Sequence, residues 1–457
     1  MKNSTPILTF FIFFLFTQDV KSQCWKTTSV GVSNGFTVKS DGTLWSWGGS
    51  SHGIIGFVTN TPVETPTQIG SSKDWESISP GFQHVVALKK DGSLWAWGFN
   101  YASQLGNGTT QELVHQANPI RIGDSNEWQT IFAGGYHTTA IKKDGSLWAW
   151  GRNYYGQLGD GTTIDKNIPT LIDNNKDWKI ISVHSNQVLG IKNDGTLWAW
   201  GDNEFGQIGD GTNTNKNIPT QIGNDSDWKD IAAGGSHSLA LKNDGSLWAW
   251  GNNDFGQLGD NTFDSKNFPI KIGSATDWKS IYAFAGSAAI KNDGSLWGWG
   301  WNIFGQVGDG TSINRKVPTR IGTSTEWKTI LKSSYFTMAY QNDNSVWGWG
   351  SNDVGQLGDG TFVSKYIPKK ILSACSELSV SDVISPVINI YPNPSKEYFI
   401  ISNKDIKAVQ LYSLDSKLIK EYSPSDRYFI KDLPNGIYIV KIQLENGKMI
   451  SEKIIKE

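Results

Sequence analysis

Positive charge, cysteine and histidine are all in short supply in this chain of 457 residues, and each shortage closes off a class of function. Forty-one Lys and Arg stand against 43 Asp and Glu, for a net charge of −2. The basic field that nucleic acid or an anionic membrane surface requires is therefore missing. The two cysteines, Cys24 and Cys375, stand in no nucleophile motif, and there is no Ser-His-Asp order and no phosphate-cradling glycine loop. Long apolar runs are missing too. The longest, from Ile7 to Phe16, is too short to cross a bilayer. It follows Lys2 and precedes Val20 and Ser22, so residues 1–22 read as a signal peptide with the mature chain starting near Gln23. Acylation of Cys24 ranks below plain export, because Lys21-Ser22-Gln23 fits a lipobox poorly.

What the chain has in excess is glycine (50) and tryptophan (22), the makings of short strands and tight turns. The octet DGSLWAWG occurs from Asp91, Asp144 and Asp244, with variants from Asp41, Asp194, Asp293 and Asp343. The first tryptophans of these seven copies are Trp45, Trp95, Trp148, Trp198, Trp248, Trp297 and Trp347, spaced by about 50 residues; strand-like repeats of that length are propeller blades. An upstream column, Trp25, Trp75, Trp128, Trp178, Trp228, Trp278 and Trp327, completes three columns that hold every tryptophan except Trp301. Such regular placement marks packing between like units.

Period-two alternation gives the strands. In GSHSLALKNDGSLWAWG two apolar strands, B and C, flank the Asp244-Gly245 turn. On strand C, Leu247 and Ala249 share one face and Trp248 and Trp250 the other. WKDIAAG supplies strand A, and PTQIG from the preceding connection a Pro-initiated strand D. The expected fold is all-β: a seven-bladed β-propeller over residues 23–375, a linker at 376–388 and a small C-terminal β-sandwich at 389–457.

By residues such as GGSHSLALKNDGSLWAWG and GQIGDGT, residues 24–375 resemble the regulator of chromosome condensation repeat family, whose members form seven-bladed β-propellers. The founder of that family is a nuclear nucleotide-exchange factor on chromatin; an exported, slightly acidic chain has neither the compartment nor the charge for that role. Other members are plain binding proteins, including secreted inhibitors of bacterial enzymes. Aligning the repeats places Cys24 and Cys375 at the seam between the last and first units. A disulfide there would close the ring, with a gain of about 5–6 kcal/mol in the chain-entropy model.

Beyond Cys375 the tryptophans stop. INIYPNPSKEYFII, AVQLYSLDSKLIKEY and LPNGIYIVKIQLENGKMISEKIIKE alternate as strands, with turns at Asn435-Gly436 and Asn446-Gly447. Tyr391-Pro392-Asn393-Pro394, the strand from Val409, Gly436-Ile437-Tyr438 and the closing KIIKE resemble the C-terminal sorting domain of type IX secretion cargo; Ser416 departs from the glycine usual after Asp. The resemblance implies export to the extracellular space or outer-membrane surface of a Gram-negative bacterium, with the secretion machinery as one partner.

Candidate chemistry is thin. Of the six histidines, His52, His84, His115, His137, His184 and His237, three (His84, His137 and His237) share a column with Asn34, Gln187, Gly286 and Phe336, which reads as a repeated hydrogen-bonding position, since ligand sites need converging clusters rather than one His per blade. The Asp of each octet is explained by the turn. The GDGT stretches at Asp160, Asp210, Asp309 and Asp359 lack the alternating acidic ligands of a calcium loop. No catalytic residue, metal site or cofactor is expected, and a monomer is.

Variation between repeats is more telling. The A–B and C–D connections emerge at one end of the propeller, and in WG-x-N-x-aromatic-GQLG the two x positions change freely. Phe99, Tyr101, Arg152, Tyr154, Asp202, Glu204, Asp254 and Trp301 occupy them, with Phe82, Tyr136, Phe284 and Tyr335 on the A–B loops at the same end. Aromatics and Arg on loops carry binding energy, so this end is the expected binding face for a protein or glycan. A polysaccharide-processing enzyme using Glu204 and Asp254 on adjacent blades is the alternative, and a passive surface or adhesion component a third.

Overall fold

The computed structural model describes residues 25–110, 115–372, 390–402, 405–414, 417–445 and 449–457. The signal peptide, the Cys24–Cys375 bridge, the linker, Ser416 and the Asn446-Gly447 turn lie outside the described residues. The chain divides into two compact units, residues 1–375 and 376–457.

The first unit holds seven four-stranded antiparallel sheets, each in the order A-B-C-D and each built from one contiguous repeat. In blade 5 the strands are A (Trp228–Ala233), B (His237–Lys242), C (Leu247–Gly251) and D (Lys266–Lys271). Strand D differs from expectation in two ways. PTQIG pairs with the hairpin before it, as Gln221 opposite Trp198 shows, and the strand starts upstream of its proline, at Lys216. The proline is tolerated because D is an edge strand whose register slips between Ala199 and Gly201.

The octet is a hydrogen-bonded unit. In blade 2, Asp91 Oδ1 accepts from the Ser93 N–H (2.9 Å) and hydroxyl (2.6 Å), and Ser93 Oγ accepts from Trp95 Nε1 (3.0 Å). These hydrogen bonds from Ser93 lower the Asp91 pKa. The turn needs a left-handed residue: Gly245 has φ +80°, and a Cβ there would lie 2.1 Å from the Thr276 carbonyl oxygen. In blade 7 Asn344 takes the same conformation, at φ +61°, which Asn tolerates best among residues bearing a side chain.

The two tryptophans of strand C do different work. The second is buried in every blade and reaches back across the seam: Trp250 Nε1 donates to the Gln207 carbonyl of blade 4 at 2.8 Å, and the equivalent bond recurs at all seven seams. The first is half-exposed and in blades 1 to 6 lies under a strand-B lysine, as with Lys89 4.4 Å from the Trp95 ring centre and 5.0 Å from Trp75, while in blade 7 Gln341 takes the lysine's place. The core is therefore a chain of inter-blade clusters. One joins Leu189, Leu197 and Ile208 of blade 4 to Trp228, Ile231 and Trp250 of blade 5. The closing seam has the same construction: Trp47 Nε1 donates to the Gln356 carbonyl (3.0 Å) and Ser333 Oγ to the Val32 carbonyl (2.8 Å), over a cluster of Val30, Trp47, Phe336, Met338 and Leu357.

The second unit contains a three-stranded sheet (Ile390–Tyr391, Tyr398–Ile401, Tyr428–Phe429) and a four-stranded sheet (Leu418–Tyr422, Ile406–Ser413, Gly436–Leu444, Met449–Lys456). They share a core of Phe399, Val409, Leu411, Tyr428, Val440, Ile442 and Ile454. The YPNP stretch and the closing KIIKE are tied together. Asn393 accepts from the Ile455 N–H (2.9 Å) and donates to the Lys453 carbonyl (2.7 Å), while Ser395 N–H donates to the Ile455 carbonyl (2.8 Å).

A candidate binding face on the propeller

The C–D connections are rigid frames that hold the variable positions outward. In blade 3, Asn153 Nδ2 donates to Asp160 Oδ1 (3.0 Å) and the Thr162 carbonyl (3.1 Å), while its Oδ1 accepts from the Leu158 N–H (3.0 Å). Gln157 Oε1 accepts from the Tyr155 N–H (2.9 Å), and the Gln157 carbonyl receives Trp200 Nε1 (3.2 Å). Asp160 also meets Lys166 at 3.0 Å. Asp210, Asp309 and Asp359 are engaged alike by Thr212, Thr311 and Thr361 and by Lys216, Arg315 and Lys365. These carboxylates brace a loop; among the described residues, no group of three or more His, Cys, Asp or Glu is placed to hold a metal.

On that frame the expected residues separate into two hollows and a remainder. Phe99, Tyr101, Arg152 and Tyr154 line one concavity of about 470 Å³ between blades 2 and 3, with Tyr136, Thr163 and Asp165. Tyr101 and Tyr154 are 63% and 68% exposed. Asp254 and Trp301 line a second, of about 300 Å³, with Phe205, Phe255 and Phe284. Asp202 and Glu204 line neither hollow. Asp202 Oδ1 accepts the Glu204 N–H (3.2 Å), and burial, reinforced by the Glu204 charge, raises its pKa. The structure does not bring Glu204 and Asp254 together in one hollow.

The A–B aromatics divide in the same way. Phe82 and Phe284, from blades 2 and 6, approach to 6.5 Å between ring centres, with His184 wedged 3.7 Å from Phe284 and 5.6 Å from Phe82. They meet one another at the propeller axis, where Phe284 also forms the inner wall of the second hollow. Burial holds His184 neutral, its pKa pushed down to about 4 against the backbone of Gly234. Tyr335 instead packs on Trp301 at 5.9 Å. Two of the three column histidines link neighbouring B strands: His84 Nε2 lies 3.0 Å from Thr138 Oγ1 and His237 Nε2 2.8 Å from Ser287 Oγ, whereas neither ring nitrogen of His137 has a hydrogen-bond partner among the described residues, so the column is not the uniform hydrogen-bonding position expected. Burial lowers His84 and His137 to about 3.

Sequence reasoning missed His184, Asp165 and Phe255. His184 lies outside the histidine column, and its role at the axis depends on blades distant in the chain. Asp165 occupies a column filled elsewhere by Asn215, Ser265, Asn314 and Ser364, all of which accept the N–H of the loop Asn, at 2.7 Å in its case. Phe255 sits at the repeated aromatic position beside the two variable ones, so variation between repeats does not single it out, yet it is 41% exposed.

Seven four-stranded blades with a variable loop face define the class: a β-propeller of the repeat type. Residues 14–288 match the model of the RCC1-like domain, and residues 293–340 and 343–385 match the regulator of chromosome condensation (RCC1) repeat. The chain belongs to the RCC1-like family. Residues 389–457 match the secretion system C-terminal sorting domain, so the chain carries a type IX export address.

Among solved structures, human WBSCR16 superposes with a TM-score of 0.64 at 20% identity, over 72% of this chain and 94% of that one. Prp20p from Saccharomyces cerevisiae gives 0.65 at 20%, over 81% and 90%. The Arabidopsis thaliana ultraviolet-B receptor UVR8 is 29% identical over 152 residues, 32% of this chain and 34% of the receptor. The human E3 ubiquitin-protein ligase HERC2 is 27% identical over 134 residues, 29% of this chain and 3% of the ligase. The chain thus spans about a third or less of the length of these curated relatives. No helix among the described residues is long and apolar enough to cross a membrane.

Proposed function

We propose that the propeller is an exported binding module that takes its partner, a protein or a glycan, on the A–B/C–D face and carries out no reaction there. The carrying observation is the hollow between blades 2 and 3, where exposed tyrosines and an arginine without an ion partner among the described residues stand on a loop frame already braced by its own hydrogen bonds. Rigid aromatic and arginine groups held in place before the partner arrives give affinity at low ordering cost. Residues 389–457 supply the export address, with the secretion machinery as their partner. The separation of Glu204 from the hollow that Asp254 lines speaks against a carboxylate pair and for binding.

The test is affinity capture from host or environmental extracts with the native chain beside the triple variant Tyr101→Ala, Arg152→Ala, Trp301→Ala. A partner held by the first and lost by the second, with both folded, is the expected outcome. Equal capture by both, or turnover of a polysaccharide by the native chain alone, would overturn the reading.

A further inference from the structure

We infer that the hollow between blades 2 and 3 is a subsite for an acidic saccharide, a pyranose ring bearing a carboxylate. This names the ligand class of the binding face proposed above and rests on that reading.

Size comes first. About 470 Å³ lies within the range of small-molecule sites, about 300–1,000 Å³, and accommodates one or two sugar rings in a concavity rather than on a flat contact surface. The walls come second. Tyr101 is stacked on Phe99, ring centres 6.0 Å apart and planes 11° from parallel, and Tyr154 stands edge-on to Tyr155 at 4.9 Å. Each exposed ring is thus backed by another and held from folding into the hollow. A pyranose has C–H bonds on its faces and hydroxyls around its edge. The C–H groups suit the negative faces of aromatic rings, and Thr163 and Asp165 at the margin offer partners for hydroxyls.

Charge decides between sugars. The Arg152 guanidinium is half-buried against Tyr136 (5.8 Å) and Tyr155 (6.0 Å). No ion pair or hydrogen bond holds it among the described residues. The other propeller arginines are all tied: Arg121 to Asn126, Arg315 to Asp309 and Arg320 to the Thr323 carbonyl. Asp165, the one acid lining the hollow, already accepts the Asn153 N–H at 2.7 Å. A guanidinium stripped of part of its water and aimed into a cavity is matched by a carboxylate, which it binds in a two-pronged geometry that an ammonium cannot copy. A cationic ligand would be repelled, and a neutral sugar would leave the arginine without a counterion.

The test uses the full mature chain on immobilised tetragalacturonate, tetramannuronate and glucuronic-acid-bearing xylooligosaccharide, each beside its carboxyl-reduced counterpart. At least one acid should bind, and reduction of its carboxyl should weaken binding by about 10-fold or more. Arg152→Ala should abolish that preference and Arg152→Lys should restore only part of it. Tyr101→Ala and Tyr154→Ala should weaken the acid and reduced forms alike, by about 10-fold, with the preference intact. No binding of any acid at about 1 mM, equal binding of acid and reduced forms, or a preference that survives Arg152→Ala would each overturn the inference. If a protein partner is lost by the triple variant while no acidic saccharide binds, the saccharide fails and the binding face stands. Saccharide binding that is unchanged in the triple variant would sink both.

Discussion

The two ends of the propeller are built from the same number of connections and by opposite rules. At the B–C end every blade repeats one device: the octet aspartate accepts the N–H two residues on in all seven turns. At the A–B/C–D end the Asn and Gln frame repeats in blades 2 to 7, yet the residues it presents run from Asp202 to Trp301. Neighbouring blades impose identical packing demands, so whatever touches the next blade is held constant. Only side chains that point away from both neighbours are free to differ. Repetition therefore marks scaffold, and departure from it marks the surface available for recognition.

Acid should separate the ends most strongly. His84 and His137, with pKa values lowered to about 3, and His184, lowered to about 4, are held neutral by burial at the loop end; unfolded, each would protonate near 6.5. Their contribution is complete above pH 6.5 and is lost as pH falls toward 4, each costing on the order of 1 kcal/mol per pH unit. The hairpin aspartates, lowered from 3.8 by their serine and threonine donors, contribute above that value and lose it only at lower pH. Urea midpoints should therefore fall between pH 6.5 and 4.5, and His84→Gln should flatten the slope. A midpoint constant across that range would erase the distinction.

Next in size is Trp250→Ala, which opens the seam between blades 4 and 5 and should cost about 3–5 kcal/mol in urea denaturation. Ser93→Ala removes both the bond to Asp91 and the acceptor for Trp95 Nε1, and should cost about 1–2 kcal/mol. At the other end Tyr101→Ala and Tyr154→Ala should each leave stability within about 0.5 kcal/mol while affecting binding. A loss of stability there as large as that of Ser93→Ala would mean that those tyrosines belong to the scaffold.

Much of this was legible in the chain itself. The blade count, the strand order within a repeat and the facing of Trp248 and Trp250 away from Leu247 all follow from periodicity, because a hairpin with alternating burial has few other solutions. The C–D frame was partly legible. The GDGT stretches are recognisable as no calcium loop, but that Asn153 ties the ends of the connection together is not visible in the sequence, since the bonds cross seven to eleven residues. The start of strand D was misjudged because Pro219 was read as an initiator when it sits inside an irregular edge strand.

The repeat by itself determined the architecture, since seven near-identical units that must each cover the next can do so only by closing a ring. It also determined which tryptophans are packing, and it singled out Trp301 as an exception. Only the tertiary structure decided which exceptional residues meet. Phe82, His184 and Phe284 converge at the axis, while Phe99, Tyr101, Arg152 and Tyr154 share one hollow and Asp254 and Trp301 another. The reason is geometric: ring closure sets distances between residues of different blades, and no local rule of spacing or alternation encodes a distance that exists only when the ring is complete.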